Sequence, residues 1–139
     1  MSEILIQSVD VVLTMDDQRR KLEGADIRLK DGVIAEIGTQ LETHGSIVNG
    51  RGSVVTPGLI NTHHHLYQNL TRAVPGAQDA LLFGWLQRLY PIWSAFTPDD
   101  MHVSAQLGLA ELALSGCTLT SDHLYLYPNG SRLEDTIHA

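Results

Sequence analysis

The sequence is poor in cysteine and in basic residues, and it has no long apolar run. Cys117 is the only cysteine among 139 residues, which excludes a disulfide framework and a thiolate zinc site and makes a reduced, cytoplasmic setting the default. The 9 Lys and Arg residues against 16 Asp and Glu residues give a net charge of -7. Without a basic cluster, no nucleic-acid polymer is expected as a partner. No apolar stretch reaches the roughly 18 residues of a membrane span, so no membrane partner is expected either.

The first 56 residues have the pattern of a small β domain. The segment "ILIQSVDVVLT" is rich in β-branched residues, and "ADIRLKDGVIAEIG" consists of two alternating runs joined by Asp31 and Gly32, which is a strong hairpin signal. No apolar period of 3.6 residues occurs before Pro57. Residues 1–56 are therefore predicted to form antiparallel β structure.

From Pro57 onward the pattern alternates between strand and helix. "LINTHH" predicts a strand, and "CTLTSD" predicts a second, short and buried strand. Between them, apolar spacing predicts a helix from about Ala80 to Tyr90, closed by Pro91. A longer helix is predicted to begin after Thr97, a good N-cap, and to end at Gly116.

The last residues, "SRLEDTIHA", predict the start of another helix. Ser131 and Glu134 have the spacing of a capping box, and only about two turns follow before Ala139. Strands that alternate with helices are parallel, and two parallel strands cannot cover their own faces. The chain is therefore expected to be the front part of a longer protein.

The segment "TPGLINTHHHLYQ" places three histidines at the end of an apolar run. Side chains alternate along a strand, so His63 and His65 are predicted to share one face and His64 to point the other way. Neutral imidazole is a common zinc ligand, and a catalytic zinc normally takes three protein ligands. The pair is therefore interpreted as part of a metal site. The alternative interpretation is that the histidines are simply the polar end of a strand.

The same residues resemble a known family. "VVTPGLINTHHHLYQNLTRA" resembles the first barrel strand of the amidohydrolase superfamily, where a Pro-Gly, two hydrophobic residues, Asp or Asn, and a His-x-His pair supply two metal ligands. "LFGWLQRLYPIW", "LALSGCT" and "DHLYLYP" resemble the aminohydrolases that act on amino-substituted heteroaromatic rings, in particular 8-oxoguanine deaminases and hydroxyatrazine ethylaminohydrolases. The resemblance spans essentially the whole chain.

The resemblance implies an α/β fold with two parts. Residues 1–56 correspond to strands of a small flanking β-sandwich domain, and residues 57–139 correspond to the first strand-helix units of a metal-dependent (β/α)8 barrel. His63 and His65 correspond to the two ligands of the first strand. Family members add a later His and Asp as ligands and use a Glu and another His to move protons. These groups are expected beyond Ala139, so no catalytic residue is assigned within the chain, which alone is expected to be inactive.

The reaction implied by the resemblance is hydrolytic deamination of a heteroaromatic ring. The first candidate substrate is 8-oxoguanine, and guanine-like and isocytosine-like rings are further candidates. One divalent metal ion, zinc with iron as the alternative, would supply hydroxide that attacks the ring carbon bearing the amine. The resemblance places a substrate-contacting Gln in the loop of Gln68. Trp85 and His123 are further candidates for substrate contact, against a plain structural role for each.

Other functions stay open at this point. A hydroxyatrazine-type enzyme would release ethylamine with the same machinery. A cyclic-amide hydrolase with two metals would need a carboxylated Lys from a later strand. A chain of another class, a non-catalytic α/β module, would use the histidine pair for metal binding or assembly. The expected partner is a small heteroaromatic molecule, and a homo-oligomer is compatible with the full-length protein.

Overall fold

A computed structural model describes residues 2–139 of the protein. The chain divides into two compact units, one up to Pro57 and one from Gly58 to Ala139. The first is built from strands and the second alternates strands with helices. Among the described residues, none of the helices combines the length and the apolar character needed to cross a membrane.

In the part of the first unit that the structure describes, the strands are β1 (Glu3–Leu13), β2 (Lys21–Lys30), β3 (Val33–Gly38), β4 (Ser46–Asn49) and β5 (Val54–Val55). They form one mixed sheet in the order β3-β2-β1-β4, with β5 also paired to β1. Strands β1, β2 and β3 follow one another antiparallel, whereas β4 and β5 run parallel to β1. The buried side chains at the centre of the sheet are Val9, Val12, Ala25 and Ile27.

The hairpin predicted at Asp31 and Gly32 is confirmed. The strands β2 and β3 pair across these two residues, whose φ angles are 50° and 83°, as a two-residue turn with both central residues left-handed requires. The prediction of purely antiparallel structure is wrong, because β4 and β5 pair parallel to β1. Parallel pairing joins segments that are far apart in sequence. A local sequence pattern of the kind that predicts a hairpin therefore does not predict parallel pairing.

The second unit alternates strands and helices. Its strands are β6 (Leu59–Asn61) and β7 (Cys117–Thr120), which pair in parallel. Its α-helices are α1 (Leu82–Trp93), α2 (Pro98–Leu114) and α3 (Leu133–Ile137), and 3-10 helices cover Leu66–Thr71, Pro75–Ala77 and Pro128–Gly130. The buried core contains Tyr67, Ala77, Leu89, Trp93, Phe96 and Met101.

Helix α1 continues past the residue predicted to end it, because Pro91 lies inside the helix. Proline removes one N–H donor and crowds the carbonyl four residues earlier. The last turn still closes, since the Ser94 N–H donates to the Tyr90 carbonyl at 2.8 Å and the Phe96 N–H donates to the Trp93 carbonyl at 3.1 Å. Burial of Trp93 in the core favours this continuation.

The predicted limits of α2 are confirmed. Thr97 and Asp100 form a reciprocal capping box, with Pro98 at the first helical position. Beyond the helix, Gly116 has a φ of 86°, the left-handed conformation that favours glycine at a helix C-terminus. At α3 the predicted capping box is wrong by one residue: the Arg132 N–H donates to Asp135 Oδ2 at 2.6 Å.

Ser131 does not cap α3 because its hydroxyl is used elsewhere. It donates to the Pro128 carbonyl at 2.6 Å and closes the preceding turn. Helix α3 therefore begins at Leu133. A side-chain bond within a local turn competes directly with a capping bond.

Helix α2 supports the 3-10 helix that follows the histidines. The Ser104 hydroxyl and the Asn69 amide both donate to the Leu66 carbonyl at 2.8 Å. Gly108 permits this approach, because a Cβ there would collide with the Asn69 amide nitrogen. The segment just after His65 is thus fixed by a buried polar contact rather than left as a free loop.

Candidate metal centre

The three histidines lie just beyond the carboxyl end of β6. The strand predicted from "LINTHH" is shorter than expected, since β6 ends at Asn61. Asn61 pairs with Thr120 at the end of β7. Because the two strands are parallel, the residues after both strands lie at the same edge of the sheet. His63 and His65 therefore occupy a loop at the carboxyl edge, not the strand itself.

The rings of His63 and His65 have a separation that is compatible with binding one cation between them. Their centroids lie 5.0 Å apart, with ring planes at 86°. Metal–nitrogen distances of about 2.1 Å and tetrahedral angles place two imidazole centroids about 5 Å apart on one zinc ion. The donor set is also suitable, since imidazole nitrogen is a ligand for zinc and for iron. The pair fits a divalent metal ion.

A hydrogen bond fixes the ring orientation of His65. Its Nδ1 lies 2.8 Å from the His123 carbonyl oxygen. A carbonyl oxygen can only accept, so Nδ1 carries the proton of this bond. In the neutral imidazole, Nε2 then keeps its lone pair for a metal ion. Metal-binding histidines commonly have such a partner on the other ring nitrogen.

His64 differs from its two neighbours. Its Nδ1 is buried and has no hydrogen-bond partner within the described residues. Its main-chain carbonyl accepts from the His123 N–H at 2.8 Å. With His63, His65, Gln68, Asn69 and Arg72, it lines a shallow depression beside the histidine pair.

The predicted substrate residues Gln68 and His123 are brought close to His65. The Gln68 amide donates to the Tyr67 hydroxyl at 3.1 Å and to the Tyr125 hydroxyl at 3.3 Å. The His123 ring lies 5.2 Å from that of His65 and 5.3 Å from that of Tyr125. These residues form an aromatic and amide surface next to the histidine pair.

Tyr67 anchors this surface in the core. It is fully buried, and burial, followed by a hydrogen bond with Tyr125, raises the pKa of the Tyr67 phenol. The phenol therefore stays protonated at all pH values at which the protein would work. It serves as a neutral hydrogen-bonding group rather than as a source of charge.

Trp85 is linked to the histidines through other aromatic rings. Its ring packs edge-on against Trp93 at 5.2 Å, and Trp93 packs in turn on Tyr67 at 5.2 Å. Trp93 is fully buried and donates to the Thr71 hydroxyl at 3.0 Å. Trp85 is only partly buried. It is connected to His65 through two other aromatic rings.

For two residues near the site, Asp122 and Arg72, the sequence did not identify the contact partners. Asp122 Oδ1 accepts from the Leu66 N–H at 2.9 Å. Arg72 forms a bidentate ion pair with Glu111, with N···O distances of 2.6 and 2.8 Å. Hydrogen bonds from Arg72 lower the pKa of the exposed Glu111 carboxyl. These partners are 56 and 39 residues apart, so no local pattern links them. The polar residues after the second strand were the available signal for Asp122.

The histidine pair is an incomplete set of ligands. Within residues 2–139, no group of three or more His, Cys, Asp or Glu side chains is arranged to hold a metal ion. A catalytic zinc normally takes three protein ligands. The pair is therefore interpreted as one part of a larger site.

A parallel sheet with polar residues beyond the carboxyl ends of its strands is typical of α/β chains of the barrel type. The family model of the amidohydrolase family matches residues 54–138, more than half of the chain. The chain belongs to the amidohydrolase family. Its fold is α/β, the N-terminal part of a (β/α)8 barrel preceded by strands of a flanking β domain.

Three similar proteins illustrate the relationship. The chain is 53% identical over 77 residues to 8-oxoguanine deaminase of Pseudomonas aeruginosa, covering 55% of this chain and 17% of that protein. It is 34% identical over 140 aligned positions to hydroxydechloroatrazine ethylaminohydrolase of Pseudomonas sp. strain ADP, covering 91% and 29%. The crystal structure of atrazine chlorohydrolase TrzN from Arthrobacter aurescens TC1 complexed with zinc matches with a TM-score of 0.87 and 32% identity, covering 97% and 32%.

The chain thus spans less than a third of the length of these relatives. It aligns with their solved fold over nearly its whole length.

Proposed function

We propose that the chain is the N-terminal portion of a metal-dependent aminohydrolase that removes the amino group from a heteroaromatic ring, with 8-oxoguanine as the first candidate substrate. His63 and His65 hold one divalent metal ion, zinc in first place. Gln68, Trp85 and His123 contribute to the substrate surface. Residues 1–56 belong to the flanking β domain and residues 57–139 to the barrel.

The observation that carries this proposal is the geometry of the histidine pair. Two rings 5.0 Å apart, one with Nδ1 bonded to a carbonyl, fit one cation at the edge where barrel enzymes place their active sites. The zinc present in the related chlorohydrolase structure supports the choice of metal. The 53% identity to an 8-oxoguanine deaminase supports the choice of ring.

When bound, the metal ion supplies a water molecule whose pKa is lowered to about 7. The residues of this chain bind and orient the substrate around it. The Gln68 amide, held by the Tyr67 and Tyr125 hydroxyls, has a carbonyl oxygen available to accept from a ring N–H. The neighbouring His123 and Tyr125 rings offer faces on which a flat heterocycle stacks.

The remaining ligands and the proton-transferring groups lie outside residues 2–139 in this proposal. This follows from the absence of a third ligand beside the pair within the described residues. The 139 residues alone are therefore expected to be inactive. The working enzyme is proposed to be cytoplasmic and to act on a small molecule.

A second candidate is an N-ethylaminohydrolase that releases ethylamine from a hydroxylated triazine. The match to hydroxydechloroatrazine ethylaminohydrolase covers 91% of the chain, whereas the more identical match to 8-oxoguanine deaminase covers 55%. The residues of the pair would serve either leaving group, so the substrate assay must decide.

The test is an amine-release assay on the full-length protein that contains these 139 residues. The substrates are 8-oxoguanine, guanine, isocytosine and an ethylamino-triazine, and metal content is measured in parallel. Ammonia released fastest from 8-oxoguanine is the expected result. Ethylamine release from the triazine as the dominant activity would establish the second candidate instead. A metal-loaded protein that releases no amine from any of them would refute the proposal.

A further inference from the structure

The loop after β7 is bonded directly to the loop that carries the histidines. The Ser121 N–H donates to the Asn61 carbonyl at 3.0 Å, and the His123 N–H donates to the His64 carbonyl at 2.8 Å. The His123 carbonyl accepts from His65 Nδ1 at 2.8 Å. Residues before the proposed ligand and the ligand ring itself are therefore held by one short segment.

Asp122 adds a side-chain bond on the other side of His65. Its Oδ1 accepts from the Leu66 N–H at 2.9 Å. Leu66 begins a 3-10 helix, and His65 stands at the N-cap position without making a side-chain capping bond. The first N–H groups of a helix lack partners within the helix, and a carboxylate there is stabilising. Asp122 therefore caps, from a distant segment, the helix that starts directly after the ligand.

We propose that Asp122 is a positioning residue that fixes His65 in its metal-binding orientation. This rests on the proposed function only for the assignment of His65 as a metal ligand. Asp122 holds the amide that follows His65, while the adjacent His123 carbonyl holds the ring. The two contacts come from consecutive residues. Loss of the bond between Asp122 and the Leu66 N–H therefore allows the neighbouring His123 carbonyl, which accepts from His65 Nδ1, to shift.

A purely structural cap would behave differently from a positioning residue. Loss of a helix cap lowers the stability of the fold and has no reason to change the ligand geometry of a folded protein. Loss of a partner that orients a metal ligand lowers metal affinity about 10–100-fold. Metal affinity and ligand geometry therefore separate the two roles.

The test compares three variants of the full-length protein in the metal-free form, titrated with Co²⁺ against a competing chelator. Asp122→Ala is expected to bind Co²⁺ about 10–100-fold more weakly than the wild type and to show an altered visible absorption spectrum. Asp122→Asn keeps an oxygen that can accept from Leu66 and is expected to retain most of the affinity. Asp100→Ala, which removes a capping carboxylate of α2, is the control: it lowers the melting temperature without changing Co²⁺ affinity.

Asp122→Ser, whose hydroxyl is too short to reach the Leu66 N–H, replaces the alanine variant if that one does not fold. Wild-type affinity and spectrum in either folded variant would overturn the positioning role while leaving the proposed function intact. A wild type that binds Co²⁺ but releases no amine would refute the proposed function, and weakened binding in Asp122→Ala would still support the positioning role. A wild type that binds no Co²⁺ would refute both.

Discussion

Three consecutive histidines meet three different environments. His63 is exposed and His65 is partly buried, with the Nδ1 of His65 bonded to a main-chain carbonyl. The Nδ1 of His64 is buried without a partner within the described residues. Since the side chains are chemically identical, their differences come from the loop geometry alone. Substitution at each position therefore tests a separate interaction.

Removing either ring of the pair should remove the metal. In the full-length protein, His63→Asn and His65→Asn are each expected to abolish turnover and to weaken metal binding strongly. The loss of affinity should exceed the roughly 10–100-fold that follows when only a hydrogen-bond partner of a metal ligand is removed. Metal content after dialysis, measured together with amine release, checks this. His44→Asn is the matched control, because His44 is an exposed histidine of the first unit. Retained metal in both pair variants would refute the assignment.

Thr71 contributes a buried hydrogen bond in the core beneath the site. Its hydroxyl accepts from Trp93 Nε1 at 3.0 Å, and both side chains are buried. Thr71→Val keeps the shape but leaves the indole N–H unpaired, which should destabilise the fold by about 1–3 kcal/mol. Thermal unfolding of the full-length protein, compared with the wild type, measures the effect.

Ser115→Ala provides the comparison for Thr71→Val, since Ser115 is exposed and its hydroxyl donates to a helix-terminal carbonyl. It should change the unfolding temperature much less. Equal effects of the two substitutions would show that burial of the Thr71 bond is unimportant.

At the scale of elements, the start of α2 depends on a charged carboxylate. The Thr97 N–H and hydroxyl donate to Asp100 Oδ2 at 2.8 and 2.7 Å, and these bonds lower the pKa of the Asp100 carboxyl. The folded-state pKa thus lies below the unfolded value of about 3.9. The stabilisation is fully present above that value and is lost as the pH falls through the folded-state pKa.

Asp100→Asn should therefore destabilise the protein most above about pH 5 and progressively less as the pH falls below about 4. The difference in unfolding temperature between wild type and variant, measured on the metal-free protein from pH 7 to pH 2.5, checks this. Asp99→Asn is the neighbouring control, because Asp99 is exposed on the first turn. A difference that is constant across the range would contradict a role for the charge.

Elements with local causes could be predicted from the sequence, and those with distant causes could not. The hairpin at Asp31 and the cap at Thr97 depend on residues within three positions of each other, and both are confirmed. The parallel pairing of β4 with β1 joins residues about 40 positions apart and was missed. The prediction that Pro91 ends α1 was wrong, because the local effect of proline does not include the stabilisation gained by burying Trp93 in the core.

In the candidate site, too, the local features could be predicted from the sequence and the distant contacts could not. The spacing of His63 and His65 is local and led to the metal prediction. The carbonyl that orients His65 belongs to His123, 58 residues later, and Asp122 contacts Leu66 across 56 residues. Such contacts arise only once β6 and β7 pair, so the residues could be suspected from their position after a strand but their partners could not.

At the scale of the whole molecule, the small parallel sheet leaves apolar side chains in contact with solvent. Leu59, Ile60 and Leu119 of β6 and β7 are 57%, 64% and 61% exposed. A parallel sheet is normally covered on both faces. Clustered exposed apolar residues drive association in water.

We therefore expect the isolated 139 residues to aggregate, whereas the full-length protein stays dispersed. Light scattering coupled to size exclusion, over a range of protein concentrations, measures this. Leu119→Lys in the isolated chain should reduce association, because a charge on the exposed sheet opposes stacking of its apolar surface. Leu114→Lys is the control, since Leu114 is an even more exposed leucine, at the end of α2 rather than in the sheet. A monodisperse monomer of the unmodified chain, unfolding cooperatively, would show that these residues tolerate water without cover.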